Sequence, residues 1–171
     1  MPFRVINGTF HATGFAPDGD SFRFRADNPA LWDTLDGPKA NLNSQDMAQL
    51  RFEAIDALET HYRAGTKSWS QPESLANAAA DRVMELLNIT DVEWTPSRYR
   101  VRSSNDGTRG YILTREVERY RRPVSFVFAG PSEQPDGTEL RLAPKDLHSS
   151  INFKLLREGL VYPTFYSGLF Y

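Results

Sequence analysis

Residues 50–60 read LRFEAIDALET. The segment AQLRFEAI reads as a strand, and two carboxylates, Asp56 and Glu59, follow three residues apart. A surface strand running into an acidic turn would look like this. So would a site that holds a metal ion and a phosphate side by side, with Arg51 as the anion-binding group. Strict alternation along a strand sends Arg51 and Asp56 to opposite faces. The second reading therefore requires a bulge, or a strand that ends before Asp56.

Working outward, FRVINGTFHATGF and SFRFRA read as strands split by the turn signal PDGD. DNPALWDTLDGPKANLNSQD reads as a long loop. SQPESLANAAADRVMELLN reads as a helix, with Ser70 and Glu73 as a capping box and Leu75, Ala79, Val83, Leu86 and Leu87 on one face. DVEW, RYRVRS, RGYILTR and RRPVSFVFAG read as strands, with SSNDGT as a hairpin turn between the second and third. GPSEQPDGTELRLAPKD reads as a polar loop. SSINFKLLREGL reads as a short helix, capped by serine and stopped by Gly159. Several short strands with a packed helix predict an α+β fold, a class that includes OB-type barrels.

The chain has 171 residues, 20 Lys+Arg against 22 Asp+Glu, and no cysteine. One domain is expected over 1–171. Disulfides, zinc–thiolate sites and cysteine nucleophiles are excluded. A net charge of −2 gives no global pull toward nucleic acid or anionic membrane, so any anion site must come from local clustering. No signal peptide and no apolar run of membrane-spanning length stands out, so no membrane partner and a cytoplasmic location are expected. The three histidines, His11, His61 and His148, show no metal-ligand spacing.

Clustering is present. Residues 98–122 hold eight arginines and three acids, with Tyr99, Tyr111 and Tyr120 interleaved. Guanidinium groups track phosphates and aromatic rings stack on bases, so the pattern suits single-stranded nucleic acid. An exposed arginine-rich hairpin that pairs with the protein's own acids would look similar.

Four stretches, in order, resemble the staphylococcal nuclease (thermonuclease-like) family: DGDSFRF at 18–24, LRFEAIDALET at 50–60, ERYRRPVSFVF at 118–128 and INFKLLREGLVYPTFY at 151–166. The resemblance implies an OB-type five-stranded β-barrel with packed helices, and a calcium-dependent phosphodiesterase acting on DNA, RNA or both. It implies Asp20, Asp56 and the carbonyl of Ala57 as calcium ligands. Glu59 would be the base that activates or orients water, and Arg51 and Arg122 the phosphate clamp. Arg119, Tyr120 and Tyr166 would lie near the bound nucleotide. Arg109, in NDGTRGYIL, is a rival to Arg122 and a further substrate-binding candidate.

The sequence also departs from the family pattern. Leu58 stands where proline is usual, and Arg121 where glycine is usual. Residues at about 98–114 are expected to form an inserted hairpin, and 129–150 an inserted loop. A last helix is expected to be missing, or the chain to be a piece of a larger modular protein. A barrel that has lost catalysis and kept a groove for nucleic acid or a protein partner is the alternative to an enzyme.

Overall fold

The computed structural model describes residues 2–58, the backbone of 62–64 and 67–69, and residues 73–164. Three strands open the chain as an antiparallel meander: β1 (Phe3–His11), β2 (Ser21–Ala26) and β3 (Met47–Phe52). A two-residue strand, β4 (Ile55–Asp56), follows at once, and then a small hairpin, β5 (Tyr62–Ala64) with β6 (Lys67–Trp69). After helix α1 (Glu73–Leu86) come β7 (Thr90–Trp94), β8 (Val101–Asn105), β9 (Thr108–Val117) and β10 (Pro123–Ala129). The described chain ends with β11 (Glu139–Leu140), α2 (Ile151–Arg157) and β12 (Tyr162–Pro163).

Five strands close on themselves in the order β1-β2-β3-β10-β9 and back to β1, with β3 and β10 parallel and the other pairs antiparallel. This is an α+β, OB-like barrel. Closure removes the sheet edges that would otherwise be exposed. Alternation along β2 sends Phe22, Phe24 and Ala26 inward, and along β3 sends Ala48, Leu50 and Phe52 inward. Phe10, Phe22, Phe24 and Phe52 are fully buried, each worth roughly 1.5–3 kcal/mol of burial. Phe10 and Phe24 meet with ring centroids 4.8 Å apart.

Helix α1 closes one side of this core with Ala76, Ala79, Ala80, Val83 and Met84. Of the expected face, Ala79, Val83 and Leu87 are buried and Leu86 half-buried, whereas Leu75 is 40% exposed and Ala76 is buried instead. Small side chains decide this: a Cβ built on Gly19 would stand 2.6 Å from the Cβ of Ala79, so the helix sits against the D-G-D turn at backbone range. Helix α2 begins at the Ser150 cap, whose hydroxyl accepts from Phe153 N, and Gly159 follows it at φ +73°.

Two expectations need correction. The segment read as one long loop contains a 3-10 turn at Pro29–Thr34, capped by Asn28, that buries Trp32 edge-on against Phe24. The expected inserted hairpin at 98–114 is not one unit: β8 pairs back onto β7, while β9 forms the barrel wall between β1 and β10. The turn at Asp106–Gly107 exists, but its two strands belong to different sheets. Alternation makes both segments strands and says nothing about which partner each takes. Among the described residues, no helix is long and apolar enough to cross a membrane.

Candidate functional site

Strand register assembles the site. β2 pairs with β3 so that Ser21 lies opposite Arg51, and Phe52 N donates to the carbonyl of Asp20 at 2.8 Å. On the other side, β10 pairs with β3 so that Val124 lies beside Arg51. Asp20 is one residue before Ser21, and Arg122 is two residues before Val124. Both are thereby delivered to the same end of the barrel as Arg51, from the two strands that flank it.

Asp56 arrives by a break in the chain. Strand β3 stops at Phe52, Ala54 takes φ +64°, and β4 then pairs with β12 through Asp56 and Tyr162. The break cancels the alternation that would have put Arg51 and Asp56 on opposite faces. The guanidinium of Arg51 bridges the two acids: Nη1 lies 2.6 Å from Asp20 Oδ1, and Nη2 contacts Asp56 Oδ1. Buried Asn152 braces the break, donating from Nδ2 to the carbonyls of Glu53 (2.9 Å) and Ser125 (3.1 Å) and accepting from Val127 N at 2.9 Å.

Asp20 is 5% exposed. Its Oδ2 accepts from Ala57 N at 2.7 Å. Burial first, and the nearby charge of Asp18 second, push its carboxyl up to about 7, against the opposing pull of Arg51 and the Ala57 N–H. Asp18 is held close because its Oδ1 accepts from Asp20 N and Ser21 N, an Asx turn that fixes the D-G-D stretch. Asp18, Asp20 and Asp56 thus gather at the Arg51 end of the barrel.

Around them opens a pocket of about 270 Å³, lined among others by Asp18, Asp20, Arg51, Ala57, Arg98 and Arg122. Arg122 donates from Nε to Glu118 at 2.8 Å and lies 5.8 Å from the Tyr120 ring centroid. Arg119, on the same β9–β10 turn, donates to the hydroxyl of exposed Tyr120 at 2.7 Å. Arg121 takes φ +66°, the left-handed conformation that glycine adopts freely. The candidate set Asp20, Arg51, Asp56, Ala57 and Arg122 is brought together. Glu59 and Tyr166 lie outside the described residues.

Arg109 does not join them. Val124 is in register with both Arg51 and Glu116, and Arg109 lies seven residues back along β9 from Glu116, about 23 Å at the usual rise. There it grips Asp27 with two bonds, 2.8 and 2.7 Å long. The rival arginine of NDGTRGYIL stays out of the pocket because the register puts it at the opposite end of the barrel.

The oxygen donors Asp20, Asp56 and the Ala57 carbonyl suit a hard divalent cation such as calcium in kind. Among the described residues, no group of three or more acids or histidines is placed to hold a metal ion. Sequence reasoning missed Arg98 and Trp94 as pocket residues, and Asn152 as a brace. The asparagine lay in view within INFKLL, where a buried amide just after a serine cap could have been suspected. No protein-family model matches the sequence, and no curated protein matches it.

Proposed function

We propose that the chain is a phosphodiesterase of the staphylococcal nuclease type that hydrolyses nucleic acid with the help of calcium or a similar cation. The observation that carries this reading is the convergence of Asp20, Arg51 and Arg122 on one opening by strand register, with Asp56 held on Arg51 beside it.

Arg51 and Arg122 match pairs of phosphate oxygens and keep their charge at any workable pH. Preorganised donors of this kind each contribute roughly 3 kcal/mol to stabilising charge on the reacting phosphorus. Asp20, Asp56 and the Ala57 carbonyl would hold the cation, which would supply Lewis-acid polarisation of a phosphate oxygen. Glu59 is the residue the resemblance nominates to orient or deprotonate water. Tyr120, near Arg122, and Arg119, bonded to Tyr120, are suited to a base or a flanking phosphate.

A gel assay of single-stranded DNA, duplex DNA and RNA, with calcium and with chelator, tests this. Calcium-dependent cleavage lost in Arg122→Ala is the expected result. No cleavage by clean protein in calcium, magnesium or manganese would overturn it. Engagement of Arg51 by both acids favours a second reading, a barrel that binds nucleic acid and does not cut it. Oligonucleotide binding without cleavage is its signature.

A further inference from the structure

Strand β7 ends on Trp94, and the short turn Pro96–Arg98 then bends the chain back over α1. Ser97 and Arg98 both take left-handed φ, 60° and 52°. Two successive non-glycine residues in that region are strained, at roughly 1–2 kcal/mol each. The conformation has one visible product. It lays the Arg98 guanidinium over the Trp94 ring, 4.1 Å from its centroid, with Nη2 on Asp81 of α1 at 2.5 Å. The Nε atom is buried and has no hydrogen-bond partner. Arg98 and Trp94 line the same pocket as Arg51 and Arg122. A surface ion pair with Asp81 alone would not need a strained backbone, an aromatic shelf or an unmet buried donor.

We propose that Arg98, presented by Trp94 and Asp81, binds a second phosphate of the substrate, adjacent to the one gripped by Arg51 and Arg122. The inference rests on the phosphodiesterase reading and deepens it: the site takes a strand carrying several phosphates in preference to a compound with a single phosphodiester. Arg98 is a substrate-binding residue, one position removed from the bond that breaks.

The test uses two probes, an oligothymidylate of about ten nucleotides and a thymidine dinucleoside monophosphate, with calcium present. Arg98→Ala is expected to raise KM for the oligonucleotide about tenfold with kcat unchanged, and to leave the dinucleoside monophosphate unaffected. Oligonucleotide affinity, titrated directly, should fall by the same factor. Its logarithmic salt slope should shrink by about 0.7, the share of one phosphate on a single strand. Arg98→Gln, which keeps a planar polar group on Trp94, serves equally should the alanine variant fold poorly. An equal loss on both probes, or no loss on either, overturns the proposal. If wild-type protein binds the oligonucleotide but cuts neither probe, the catalytic reading falls. The weaker binding and reduced slope of the Arg98 variants then still support the second-phosphate contact, and unchanged binding overturns it.

Discussion

Arg51 and Arg109 hold aspartates at opposite ends of one barrel, and the two assemblies differ in almost everything but their chemistry. The Arg51 side chain is 13% exposed and is shared between two acids, with a third, Asp18, crowded against the first. The Arg109 side chain is 50% exposed and holds Asp27 through two parallel bonds, with the charge of Asp136 nearby. The proton affinities of the aspartates separate accordingly. Burial and Asp18 push Asp20 up to about 7, whereas its bonds to Arg109 pull Asp27 below the ordinary carboxylate value. One end buries a carboxyl whose desolvation its arginine only partly offsets, and the other holds its acid in an exposed two-bond pair. A buried carboxyl of raised proton affinity that lines a pocket marks the end that has something left to bind.

The sharpest break in the comparison is catalytic. Arg122→Ala is expected to lower kcat on single-stranded DNA by about 100-fold or more, the usual effect of removing one preorganised donor. Arg109→Ala, in the same calcium-containing gel assay, should change the rate by no more than about twofold. Equal losses in the two variants would mean that the barrel ends have been assigned the wrong way round.

The next largest effect lies in pH-dependent stability. The folded carboxyl of Asp20 titrates near 7 against an ordinary value of 3.8. Between those limits the folded protein holds a proton that the unfolded chain has released. The contribution of this group is therefore fully present below the lower value and is lost as pH rises through the upper one. In chelator, Asp20→Asn should gain on wild type by a few kcal/mol as pH is raised across that window, measured from urea midpoints. A difference between the two proteins that does not vary with pH would show that Arg51 neutralises Asp20 completely.

At the other end the sign reverses and the size shrinks. Because the folded Asp27 carboxyl is depressed, its contribution is present above the ordinary carboxylate value and fades as pH falls through the folded one. Exposure of both partners limits it. A double-mutant cycle of Asp27→Asn with Arg109→Gln should return a coupling under about 1 kcal/mol at neutral pH, smaller still in high salt. A coupling of several kcal/mol would mean that the pair behaves as a buried one.

Much of this contrast was written in the sequence, and the reason is positional. Asp20, Arg51 and Arg122 all lie at or next to strand termini, and a barrel stacks strand termini in rings, so short motifs at strand ends converge once the strand order is right. Asp56 was harder. Period-two alternation argued against it, and only the left-handed Ala54, which no residue type announces, turned it back toward Arg51. Arg109 stood as the lesser rival of Arg122, and what separates them decisively is register along β9, a long-range property. Arg98 was legible only as one member of the arginine cluster at 98–122, and Trp94 not at all: a strained turn after Pro96 brings them to the pocket, and pattern reading assigns such turns to solvent.

Arg121 offers the finest test of how the pocket end is built. Its φ of +66° lets the β9–β10 turn close, with Arg121 N donating to the Glu118 carbonyl at 2.7 Å and Glu118 N to the Arg122 carbonyl at 3.0 Å. That turn aims Arg122. An L-residue in this conformation is disfavoured by roughly 1 kcal/mol, and Arg121 recovers part of that through Nε donating to the Lys39 carbonyl at 2.9 Å. Glycine and alanine at this position both lose the side-chain bond, and only glycine is relieved of the backbone cost. Arg121→Gly should therefore be more stable than Arg121→Ala by roughly 1 kcal/mol, read from thermal midpoints, with wild type between them or level with glycine. Cleavage by the glycine variant should stay within about twofold of wild type, since Arg121 is bonded to Lys39 and Arg122 keeps its turn. A large loss of activity in a well-folded Arg121→Gly would instead make Arg121 a phosphate ligand in competition with its neighbour.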